Sequence, residues 1–203
     1  MKIYMIRHGE TDWNIVKRLQ GRSDIPLNEE GRRLARVTAK ALENVPFTKI
    51  YTSPLLRAKE TAQIIKGDRN IPILEDKRIQ EISFGIYEGL YCAEDHYTIP
   101  DPDFIKFFKK PEEYIAPEGA ETIEALCKRT TDFLQELVHT TAYQDETVLL
   151  STHGAALRGL LSSINMKNVS EFWKGGVHKN CAVTILEVVD GRINLLEEGK
   201  VYY

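Results

Sequence analysis

Apolar residues along the chain alternate between short unbroken runs and longer stretches with helical spacing. The runs KIYMI at 2–6, KIYTS at 49–53, IPILE at 71–75 and TVLLSTHG at 147–154 read as short strands buried on both faces. Between them the period lengthens to that of a helix. One such stretch opens at Asn28, whose side chain can cap the first turn while Glu29 and Glu30 favour its positive end, and it carries Leu34, Val37, Ala41 and Leu42 on one face. A second, SPLLRAKETAQIIKG at 53–67, has Ser53 as cap, Pro54 at the first helical position and Gly67 as stop, which puts Arg57 near the first turn. A third, at 122–140, aligns Ile123, Leu126, Thr130, Phe133, Leu134 and Leu137, and AALRGLLSSI follows the strand that ends in His153 and Gly154. AVTILEVV and INLLEE, on either side of Asp190-Gly191, read as a hairpin.

Strands alternating with helices predict an α/β fold, a three-layer α/β/α sandwich with a mostly parallel central sheet. Composition leaves this unchanged: of 203 residues, 42% are hydrophobic and 28% charged, and no Gly/Ser/Pro-rich linker divides them, so one domain spanning 1–203 is expected. The segment at about 91–120 mixes aromatics, prolines and lysines, and is expected to form an insertion or lid over the functional crevice. A net charge of -3 gives no basis for a nucleic-acid or membrane surface, so any strongly positive spot must be local. No run approaches the ~20 apolar residues of a membrane span. The opening MKIYMIR is too short for a signal peptide, and Cys92, Cys127 and Cys181 are odd in number and widely spaced. A cytoplasmic protein with reduced thiols is expected. Oligomeric state is left open, a homodimer included.

In parallel sheets ligands bind beyond the carboxyl ends of the strands, where His8, His153 and Arg57 would meet in one crevice. Arg7 and His8 end a strand that reads as buried, and an unpaired buried cation costs several kcal/mol, so something anionic should face them. A carboxylate such as Glu10, or Glu60 for Arg57, would serve; so would an anionic ligand.

Five ordered segments decide between these: RHGETDWN at 7–14, LQGRSDIPLNEEG at 19–31, TSPLLRAKETA at 52–62, QEISFGIYEG at 80–89 and STHG at 151–154. Together they resemble the histidine phosphatase superfamily, in its phosphoglycerate mutase-like branch, from Lys2 to about Val188. The resemblance implies that His8 is the nucleophile that becomes phosphorylated, that His153 is the second histidine of the phosphate pocket, and that Arg7 and Arg57 clamp the phosphoryl group. Asn14, Gln20 and Gly21 would complete the pocket, and Glu81 would be the proton donor, with Glu75, Asp76 and Glu88 as nearby alternatives. The chemistry is coherent, since planar guanidinium forks match phosphoryl oxygens and balance their charge. His153 is expected to be protonated beside a bound phosphate dianion. Two positions depart from the family pattern: Tyr87 stands where tryptophan is common, and PEGAET at 117–122 replaces a Gly-Glu-Ser version. Both lie near 91–120, where Lys106, Lys109 and Lys110 are candidates to meet a second substrate anion.

The resemblance thus implies a metal-independent phosphomonoesterase of small phosphorylated metabolites, with no metal and no cofactor. Phosphoglycerate mutase-type transfer is the alternative, and alpha-ribazole phosphatase or fructose-bisphosphate phosphatase are narrower readings of the hydrolase. A catalytically silent phospholigand sensor is the rival from another class, disfavoured by the presence of His8, Arg57, Glu81 and His153 together.

Overall fold

The computed structural model describes residues 1–140 and 145–203. Strands β1 (Lys2–Arg7), β2 (Lys49–Thr52), β3 (Ile73–Glu75), β6 (Thr147–Thr152), β7 (Val183–Val189) and β8 (Arg192–Lys200) form one sheet in the order β3-β2-β6-β1-β7-β8. The first four are mutually parallel, while β7 runs antiparallel to β1 and forms the predicted hairpin with β8. The mostly parallel α/β architecture agrees with the alternation read from the sequence.

Successive side chains on a strand point to opposite faces, and this period sorts the core. Ile3, Met5, Val148 and Leu150 pack against α5 (Ile123–His139) and α6 (Gly154–Asn165) through Phe133, Leu134, Leu137, Leu157 and Leu160. Ile6, Ile50 and Leu149 face the other way, onto Leu34 and Ala35 of α2 (Glu29–Ala41) and Ala62 and Ile65 of α3 (Leu56–Lys66). Leu150 is fully buried at the sheet centre, so truncation to Ala would cost about 2–5 kcal/mol.

Helix α2 starts as predicted, with Asn28 Oδ1 accepting the Gly31 N–H at 2.7 Å. Helix α3 does not. It begins at Leu56, after an extended Leu55, and Pro54 lies outside it. Ser53 Oγ accepts the Leu55 N–H instead of capping the helix, and the Asp24 carboxylate takes the Leu56 N–H at 2.6 Å. A short helix, α1 (Asp12–Ile15), follows the RHG segment under a Thr11–Asn14 capping box.

The 91–120 segment contains a two-strand ribbon, β4 (Cys92–Ala93) with β5 (His96–Tyr97), then 3-10 turns around a one-turn helix, α4 (Lys106–Lys109). Its Ile99, Phe104 and Phe107 share an apolar cluster with Ile82, Phe84, Ile123, Leu126 and Phe172. This cluster lies apart from the two that cover the sheet and joins the segment to the α5 and α6 layer.

Candidate active site

The sheet order brings the carboxyl ends of three adjacent parallel strands side by side. His8 follows β1, His153 follows β6 and Ser53 follows β2, and the strand ladder continues through them: His8 N donates to Thr152 O at 2.9 Å and Ser53 N to Ser151 O at 3.0 Å. The ring centroids of His8 and His153 are 5.2 Å apart. Gly9 permits this arrangement, because a Cβ there would stand 2.6 Å from the Gly31 carbonyl oxygen at the start of α2.

His8 is almost fully buried, and its Nδ1 lies 2.7 Å from the Gly9 carbonyl oxygen. A carbonyl only accepts, so Nδ1 carries the proton in the neutral ring and the lone pair sits on Nε2. Burial, reinforced by the Arg57 and Arg7 guanidiniums, holds this imidazole well below its ordinary range, with the Gly9 bond opposing. The carbonyl of His8 is anchored by Asn180 Nδ2 at 3.0 Å, and Gly9 N donates to Thr61 Oγ1 at 2.9 Å.

His153 is fully buried, with Nε2 2.7 Å from Ser53 Oγ and Nδ1 without a partner. Burial first, then Arg57, His8 and Arg7, hold it well below its usual range. In the unliganded protein His153 is therefore neutral, and the charge expected of it must arrive with an anion.

Among the described residues, neither arginine is tied up in a structural ion pair. Arg57, fully buried, gives Nη1 to Ser23 O and Nη2 to Gly21 O, both at 2.8 Å. Burial lowers it to about 10, so it stays charged at neutral pH. Arg7 Nη1 donates to the His178 carbonyl. In both, Nε is buried without a partner. The rival carboxylates are occupied elsewhere: Glu10 accepts from Asn28 Nδ2 and Glu60 pairs with Arg32.

Glu81 stands at the amino end of α6. Its Oε1 accepts the N–H groups of Ile82 and Ala156, both at 3.0 Å, and Oε2 accepts that of Ala155 at 3.2 Å. The alternatives have other tasks. Glu75 pairs with Lys59, and Asp76 caps the next turn and bonds Arg78. Glu88 accepts from Arg22 N, Ser23 Oγ and Phe84 N, stitching the 20–23 loop to the 83–88 turn.

Arg7, His8, Asn14, Gln20, Gly21, Arg57 and Glu81 line one cleft of about 130 Å³; His153 does not line it, but its ring centroid is 5.2 Å from that of His8, which does. Asn14 Oδ1 accepts from Thr11 and Asn180. Gln20 Oε1 is buried without a partner. Gly21 has φ +51°, and a Cβ there would lie 2.2 Å from Glu88 Oε1. Phe84, Phe107, Phe108, Trp173 and Val177 form an apolar wall, and Arg18 also borders the cleft. Lys106 and Lys110 do not reach it, because both pair with carboxylates of their own segment, Asp103 and Glu113. Lys109 is likewise outside the lining set.

Sequence reasoning missed three supports and one wall residue. Ser53 reads as a helix cap but holds His153. Asn180 and Arg129 lie in no motif, yet Arg129 binds the carbonyls of Arg78 and Gln80 at 2.8 Å and of Glu81 at 3.1 Å, fixing the approach to Glu81. Arg18 gives no signal within its loop.

A neutral imidazole, two guanidiniums with unpartnered N–H groups and a carboxylate around a small cleft suit attack on a phosphorus centre. The sequence model of the histidine phosphatase superfamily (branch 1) matches residues 3–199. An uncharacterized phosphatase, PhoE, of Bacillus subtilis is 36% identical over 80% of this chain and 77% of its own. A metal-independent phosphoserine phosphatase of Arabidopsis thaliana is 31% identical over 93% of this chain and 77% of its own. The solved structure of Bacillus stearothermophilus YhfR superposes with a TM-score of 0.89 at 37% identity, covering 98% of this chain and 97% of that one. The chain belongs to the histidine phosphatase superfamily.

Proposed function

We propose that the protein is a metal-independent phosphomonoesterase of small phosphorylated metabolites, working through a phosphohistidine on His8. The observation that carries this reading is the state of His8: buried, neutral, and tied through Nδ1 to Gly9 so that Nε2 is the nucleophilic atom at a cleft walled by Arg7, Arg57 and Glu81.

Nε2 of His8 attacks phosphorus, the P–O bond to the leaving group breaks, and protonated Glu81 passes its proton to the departing oxygen. The Arg7 and Arg57 guanidiniums hold the equatorial oxygens as charge redistributes, with Asn14 and Gln20 as further contacts and the Gly21 carbonyl holding Arg57 in place. His153 gains a proton beside the bound anion and adds to that charge balance. Water then attacks phosphorus, the N–P bond breaks, Glu81 takes the water proton, and His8 returns to its neutral form. The metal-independent reading is supported by the arginines, which already supply the positive charge. Among the described residues, no group of three or more His, Cys, Asp or Glu could hold an ion.

The test is to quench the enzyme during turnover of a labelled phosphomonoester. An acid-labile, base-stable label on wild type and none on His8→Ala is expected, and a label that persists on His8→Ala refutes the assignment. A panel of phosphorylated metabolites, run in excess chelator with a phosphoglycerate mutase assay alongside, separates hydrolysis from transfer.

A further inference from the structure

Arg18 stands on the wall of the cleft, half-buried, and differs from Arg7 and Arg57 in what holds it. Its guanidinium lies 4.4 Å from the Tyr91 ring centroid and 5.6 Å from that of Trp13, and Nη2 donates to the Tyr91 hydroxyl at 2.7 Å. Its Nε is buried without an acceptor. Among the described residues it forms no ion pair with a carboxylate. Two ring faces and a neutral phenol therefore hold a full positive charge in place without cancelling it.

The charge on the cleft walls gives this weight. Among the described residues that line the cleft, Arg7, Arg18 and Arg57 are the cations and Glu81 the acidic residue. Three guanidiniums thus face a phosphoryl group bearing about two negative charges. Arg7 and Arg57 flank His8, whereas Arg18 pairs across a backbone bridge with Tyr91, the first residue of the 91–120 segment. It shares the cleft with an apolar wall in which Phe108 stacks on Trp173 at 5.7 Å.

We propose that Arg18 is a second anion site in this cleft, binding a carboxylate on the leaving group of the phosphomonoester while the aromatic wall covers the apolar part between the two charges. The planar fork matches a carboxylate, and the two-ring clamp lowers the entropy lost in ordering it. The inference rests on the phosphomonoesterase reading for which end of the substrate lies at Arg18. It also replaces Lys106, Lys109 and Lys110 as the source of positive charge for a second anion.

The test uses para-carboxyphenyl phosphate against phenyl phosphate as substrates, and the two matching phosphonates, which cannot turn over, as calorimetric ligands. Wild type should prefer the carboxylated member of each pair by roughly 10- to 100-fold, the range of a hydrogen bond to a charged group. The preference should appear in KM and Kd rather than kcat, collapse in Arg18→Met and survive in part in Arg18→Lys. No preference in wild type, or an undiminished one in Arg18→Met, overturns the site. The phenylphosphonate affinity of each variant reports whether the phosphate end is intact. Phosphonate binding with an Arg18-dependent preference but no hydrolysis of either ester would remove the phosphatase reading and leave the anion site standing.

Discussion

Replacing Glu81 with Gln separates proton donation from architecture, because the contacts of this carboxylate are all defined. With the amide oxygen at the Oε1 position, Gln keeps the N–H groups of Ile82 and Ala156, but its NH2 then faces the Ala155 N–H across 3.2 Å. Two donors without an acceptor lose one hydrogen bond, about 1–3 kcal/mol. Against a typical total stability of about 5–15 kcal/mol the variant stays folded, which a thermal melt checks. The effect on chemistry should be larger and selective. Alkyl phosphates leave as poor alkoxides, so losing a positioned acid should slow phosphorylation of His8 by roughly 10²- to 10⁴-fold. That is about 3–5 kcal/mol on the barrier. Nitrophenyl phosphate leaves as a stable anion, and its burst rate should fall far less. Presteady-state bursts with both esters measure that step alone, while the later hydrolysis should slow for both if Glu81 also activates water. Equal losses in the two burst rates would mean that Glu81 only anchors the start of α6, and the acid role would be refuted.

The neutral state of His153 predicts proton uptake on anion binding: its pKa is depressed in the free protein, an anion beside it raises that pKa, and the complex therefore binds more protons. Sulfate titrated by calorimetry in buffers of different ionisation enthalpy should show a fraction of a proton taken up, growing as pH falls from about 8 toward the reference histidine value of about 6.5 and smaller in His153→Gln, where His8 alone is left to respond; zero uptake in wild type, or an uptake undiminished in His153→Gln, rejects this. Gly21→Ala combines an unfavourable φ of +51° with a Cβ 2.2 Å from Glu88 Oε1. It should raise KM for every phosphomonoester by moving the Gly21 carbonyl that holds Arg57, and an unchanged KM would show that this carbonyl does not set the clamp.

Apolar periodicity located each main strand and helix because every one has a face that must leave water, and that requirement is written locally. The motifs made His8, His153 and Arg57 visible for a similar reason: each sits one residue from a strand end or helix start, in a short segment with its own signature, while Glu81 stands out by its segment alone, two residues past the 3-10 turn Lys77–Ile79. Helix starts were less legible. Ser53-Pro54 has the chemistry of a helix opening, yet the hydroxyl bonds His153, a partner 100 residues away that no local rule can supply. The same holds for Asn180 under the His8 carbonyl and Arg129 behind Glu81, isolated polar residues whose meaning comes from whichever carbonyl the fold delivers to them. Charge shows the difference most sharply. Lys106 and Lys110 look available because sequence lists charges without their partners, while the folded chain pairs them with Asp103 and Glu113 and leaves Arg18 on the cleft wall with no carboxylate partner among the described residues. Strand order is the deepest of these non-local facts. Hydrogen bonding between parallel strands is nearly independent of side-chain identity, so the placement of β6 between β2 and β1, which brings His153 beside His8, emerges only when all the layers pack together.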